Sequence, residues 1–87
     1  MKELLSLYKH WKGQAPLKVE TLPKAGSNRQ YVRIYANNNE SVIGVIGPST
    51  HENHCFVYLA RHFSEAGMPM PHIYAVSDDE TCYIQQD

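Results

Sequence analysis

The spacing of hydrophobic and polar residues changes several times along this chain, and each change marks an expected element. Leu4, Leu7, Tyr8 and Trp11 recur at the spacing of one helical face and Gly13 interrupts them, so residues 2–12 are expected to form a short amphipathic helix that braces the N-terminus. After Pro16 the segment Leu17 to Leu22 alternates apolar with polar, as a half-buried strand does, and Pro23 ends it. A second strand is expected from Arg29 to Ala36. The cluster Asn37-Asn38-Asn39 then turns the chain into a third, Glu40 to Ile46, because asparagine tolerates left-handed backbone angles.

Gly47-Pro48 closes the third strand. Ser49-Thr50-His51-Glu52 places a serine three residues before a glutamate, the capping-box pattern that opens a helix. Cys55, Phe56, Leu59, Ala60 and Phe63 are expected to form its apolar face, with Cys55 in the core as a small hydrophobe. Gly67 suits the left-handed residue after the helix end. Beyond the extended connector Met68-Pro69-Met70-Pro71, two short strands are expected at His72–Val76 and Thr81–Gln86, around the acidic turn Ser77-Asp78-Asp79-Glu80. This order predicts an α+β fold: a five-stranded antiparallel sheet with one covering helix and an N-terminal helix.

Composition narrows the class. With 87 residues the chain makes one domain, and a globule of that size buries about 60–65% of its unfolded surface. Hydrophobic residues make up 43% and charged residues 20%, and no apolar run is long enough for a membrane span, so a cytoplasmic protein without a membrane partner is expected. A formal net charge of −1 argues against binding nucleic acid by broad electrostatics. Cys55 and Cys82 form no spaced motif, so no disulfide framework is expected. The sequence stops within or directly after its last strand, without a closing helix, which raises the expectation that it is part of a longer polypeptide.

Candidate chemistry concentrates in one run, Lys24 to Tyr35. Every lysine lies at or before Lys24, and past it the cations are Arg29, Arg33 and Arg61. A Gly26-Ser27-Asn28 turn feeding a strand with Arg29 and Arg33 on one face brings backbone amides and guanidinium groups together where an anion can be held. The same residues also suit a plain hairpin turn and a solvated strand. Glu52 suits a helix cap and, as a second reading, an active-site carboxylate. His51 and Cys55, one helical turn apart, raise a metal reading, but no remote cysteine pair completes a tetrahedral set, and no metal site is expected. Ile43 and Ile84, beside Val45 and Cys82, suit either the core or the wall of an adenine pocket. No clear nucleophile or general base stands out.

Three features coincide: the Ala-Gly-Ser-Asn-Arg turn between the first two strands, Gly67-Met68-Pro69-Met70-Pro71-His72-Ile73 after a helix, and a final strand ending Tyr83-Ile84-Gln85-Gln86-Asp87. Together they resemble the N-terminal lobe of the aminoglycoside phosphotransferase and choline kinase-like family, small-molecule kinases with a protein-kinase-like fold. The branch that phosphorylates amino sugars such as N-acetylmuramate is the most similar, through an Arg-Arg-Tyr-Phe-Arg-like strand that here reads Arg29-Gln30-Tyr31-Val32-Arg33. The resemblance spans roughly Leu17 to Asp87 and covers the first third of a full family member.

It implies an ATP-dependent phosphotransferase acting on a small hydroxylated substrate, plausibly a sugar. ATP and Mg2+ would serve the full-length protein, with the magnesium ligands, the catalytic aspartate and the substrate pocket in a C-terminal lobe. Gly26, Ser27 and Asn28 would cover the phosphates, while Gln85 and Gln86 would approach the adenine edge where the family often has Glu-Asp-Leu-Gly. This part alone would not be catalytic. The family's third-strand cation has Gly44 in its place and Glu52 sits about one turn early. Arg29 or Arg33 then neutralises phosphate, or the branch works without that ion pair, or nucleotide binding is weak or lost. Two rivals accompany this reading: a free-standing protein-interaction module, whose exposed strip ending at Gln86 would accept a neighbouring strand, and a degenerate kinase lobe kept as scaffold.

Overall fold

The computed structural model describes residues 1–23 and 28–87 and contains seven elements: α1 (Lys2–Lys12), β1 (Lys18–Thr21), β2 (Gln30–Asn37), β3 (Glu40–Ile46), α2 (Thr50–Glu65), β4 (Ile73–Val76) and β5 (Cys82–Gln86). The strands form one five-stranded antiparallel sheet, as expected, in the order β1-β2-β3-β5-β4. Local chemistry sets the ends. Gly13, at φ 88°, closes α1 and donates its N–H to Lys9 O. The Ser49 hydroxyl accepts the Glu52 N–H at the start of α2, and Gly67, at φ 84°, follows its end.

The two faces of the sheet carry separate cores. On one, Leu4 and Tyr8 of α1 are buried against Val32, Ile34, Cys82 and Ile84. On the other, Val57 of α2 packs with Ile43, Val45 and Tyr83, and the Phe56 ring stacks on Tyr83 at 5.8 Å. The N-terminal helix is therefore more than a brace: it supplies one of the two layers.

Two expectations about side chains need correction. The buried positions of α2 are Asn53, Val57 and Ala60, whereas Cys55 and Leu59 are exposed. Asn53 sets the rotation of the helix. Its amide donates to Gly47 O at 2.9 Å and to Glu80 O at 2.8 Å, tying the first turn of α2 to the β3–α2 connection and to the β4–β5 turn. The helix therefore turns a polar residue inward and carries Cys55 and Leu59 outward. The second correction concerns Gly44. Register pairs it with Val32 and Ile84 on the α1 face, and a Cβ there would lie 2.6 Å from Leu4 Cδ2. Close packing under α1 explains this glycine, so its presence is no sign of a cation lost from the opposite face.

Candidate functional site

Strand periodicity decides which residues can act together. Tyr31, Arg33 and Tyr35 of β2 share the α2 face with Ser41, Ile43 and Val45 of β3 and with Tyr83, Gln85 and Asp87 at β5. Val57 and Phe56 of α2 engage Val45, Tyr83 and Ile43 on this face. Farther along, polar groups of β1, β2 and β3 meet Asp87, the residue directly after β5. Arg33 Nε donates to Asp87 Oδ2 at 2.8 Å and Nη2 to Oδ1 at 3.4 Å, the Ser41 hydroxyl donates to Asp87 Oδ2, and Arg33 Nη1 lies 3.6 Å from Glu20 Oε1. The Tyr35 hydroxyl reaches Glu20 at 3.4 Å, and Lys18 Nζ sits 5.1 Å from the Tyr35 ring centre.

This wiring shifts two groups in opposite directions. Hydrogen bonds from Arg33 and then Ser41 hold the Asp87 carboxyl below the ordinary carboxylate range, and the bond to Asp87 raises the Arg33 guanidinium further. Arg33 is thus committed to carboxylates.

Arg29 has a different setting. Its Nη1 lies 3.4 Å from the Tyr83 hydroxyl and its guanidinium carbon 5.7 Å from the Phe56 ring centre, so it lies over the part of the face that α2 borders. Burial pushes the Tyr83 phenol up to about 12, opposed by the Arg29 charge. Asn28 is exposed beside it, while Gly26 and Ser27 lie outside the described residues.

The remaining expected site residues divide between the faces. Ile43 lies on the same face as Arg33 and Gln85, but Ile84 points beneath α1, so the two isoleucines cannot wall one pocket. Gln85 is half-buried, with its Oε1 enclosed and unpartnered in the structure. Gln86 turns toward the β4 side: its N–H donates to His72 O at 2.8 Å and its side-chain Oε1 accepts the His72 N–H at 3.2 Å. Glu52 is exposed in the capped first turn of α2. His51 Nε2 lies 3.8 Å from Cys55 Sγ, and no group of three metal-ligating side chains forms among the described residues. Nor is any helix among them long and apolar enough to cross a membrane.

Residue-type reasoning overlooked Glu20, Tyr35 and Ser41, whose only signal was their even spacing along neighbouring strands. A concavity of about 570 Å³ lies elsewhere, between α2 and the Ser77–Glu80 turn, lined by His54, Tyr58, Arg61 and Glu80 among others. The residues of chemical interest, Arg29, Arg33, Gln85 and Asp87, lie instead on the strand face. No family model, curated protein or solved structure matches this chain.

Proposed function

We propose that this chain is the nucleotide-binding N-terminal lobe of an ATP-dependent phosphotransferase acting on a small hydroxylated molecule, plausibly a sugar or amino sugar. The observation that carries the reading is the arrangement of two backbone segments at opposite ends of one face. The end of β5 pairs with Val42, whereas β2 begins at Gln30, directly after Asn28 and Arg29 and level with Ile46 and Cys82. Four strand rises separate the two levels, about 13 Å, a span suited to an extended nucleoside triphosphate.

The base meets the strand end at Gln85 and Gln86, Ile43 supplies apolar surface beneath it, and the triphosphate runs toward Asn28 and Arg29; Gly26 and Ser27, which the resemblance assigns to the phosphates, lie outside the described residues. Arg29 neutralises phosphate charge there, the task a third-strand cation performs in related kinases; among β3 residues, this face offers Ser41, Ile43 and Val45. Mg2+ and its ligands, the catalytic aspartate and the acceptor pocket belong to a second lobe outside these residues, which is needed for transfer. The strand-addition rival finds no support at Gln86, since β5 is flanked by β3 and β4 and the sheet edges are β1 and β4.

Titrating Mg-ATP into the protein carrying both lobes, while following backbone amide resonances, tests the reading. Shifts are expected around Gly26–Arg29 and Ile84–Gln86. Unmoved resonances at both ends would end the assignment.

A further inference from the structure

The last ladder pair of β5 joins Gln86 to Val42, and beyond it the strand has no further ladder partner on β3. The next side chain takes over. Asp87 accepts two hydrogen bonds from Arg33 of β2 and one from Ser41 of β3, and Glu20 of β1 steadies the same guanidinium from its other side. A lone exposed ion pair contributes little, but here a two-pronged guanidinium grip is joined by a hydroxyl, with Arg33 and Asp87 side chains only 34% and 28% exposed. Two neighbouring strands, β2 and β3, thereby converge on one carboxylate, with β1 behind the guanidinium.

We propose that Asp87 is a positioning residue for nucleotide: Arg33 and Ser41 hold its carboxylate so that the end of β5 presents its backbone to the base at a fixed place. The inference rests on the nucleotide-binding reading and deepens it by dividing the arginines, Arg29 for phosphate and Arg33 for the strand end. The depressed Asp87 carboxyl fits a grip that is already formed without ligand.

The test uses the protein carrying both lobes, with Asp87→Asn, Arg33→Lys and the double variant. These conservative changes preserve size, and thermal midpoints measured without nucleotide report whether the fold survives. Asp87→Asn should speed hydrogen exchange at the amides of residues 85–87 in the nucleotide-free protein and weaken Mg-ATP binding about tenfold, the scale of one lost charge-assisted contact. The double variant should bind about as weakly as the worse single one, because both substitutions break the same contact. Wild-type affinity and exchange in Asp87→Asn would overturn the inference while leaving the function intact. A loss of affinity matched by general destabilisation would also overturn it, making the role merely structural. If the wild-type protein fails to bind Mg-ATP, the functional reading falls and the positioning role falls with it.

Discussion

Tyr83 shows how one side chain can report on the site. It is 1% exposed, under Phe56 and within reach of Arg29. Its phenol titrates near 10 in an unfolded chain and about 12 in the fold, because burial disfavours the phenolate. A raised folded value means that its contribution to stability is complete below pH 10 and is lost as pH climbs from 10 through about 12. Ultraviolet titration of the six tyrosines should therefore show Tyr83 ionising late, with Tyr8 also displaced upward by burial. Tyr83→Phe should remove the latest step; a titration curve unchanged by that substitution would contradict the assignment. At this scale the residues proposed to handle phosphate were easy to notice in the sequence and the Asp87 contacts were not. Gly26, Ser27 and Arg29 stand close together in the chain, whereas Glu20, Arg33, Ser41 and Asp87 meet only through strand register.

Among the elements, α2 tests how far helical spacing can be trusted. Cys55, Phe56, Leu59, Ala60 and Phe63 follow one apolar stripe, yet the buried set is Asn53, Val57 and Ala60. Apolar spacing fixes the existence of the helix but says little about a rotation of one residue, since hydropathy gives no credit to an asparagine whose amide satisfies two carbonyls. Val57→Ala should cost roughly 2 kcal/mol, while Leu59→Ala, at an exposed position, should stay within about 0.5 kcal/mol. Urea unfolding of both variants checks the rotation, and reversed costs would restore the original stripe. The strands were read more faithfully. Bounded by prolines, glycines and asparagines, they fall within two residues of their expected ends, because those turn residues act locally. The role of α1 as a full layer was harder to see, since helical spacing does not say which sheet face a helix covers.

For the whole molecule, two depressed carboxyls, one in the β4–β5 turn and one just past β5, make stability fall on the acid side. Asp79 is held low chiefly by the Thr81 hydroxyl, then by the Thr81 N–H and the Ser77 hydroxyl, and Asp87 by Arg33 and Ser41. For both, the stabilisation is present above the unfolded carboxyl value of about 4 and fades as pH falls through the lower folded values. Denaturant midpoints should accordingly hold steady from neutral pH to about 4 and then decline, with Asp79→Asn removing part of the slope; midpoints that ignore pH below 4 would contradict the account. The antiparallel sheet was legible in the sequence because each pair of neighbouring runs carried its own turn signal, but the interior place of β5 was not, since no local feature distinguishes a central strand from a peripheral one. That place has a consequence for biosynthesis. β1, β2 and β3 can pair as soon as they are made, but the place between β3 and β4 stays vacant until residues 82–86 have left the ribosome. Until then β4 has nothing to pair with and one margin of β3 lies bare, so a stalled or prematurely released nascent chain is a substrate for chaperones rather than a smaller version of the finished fold.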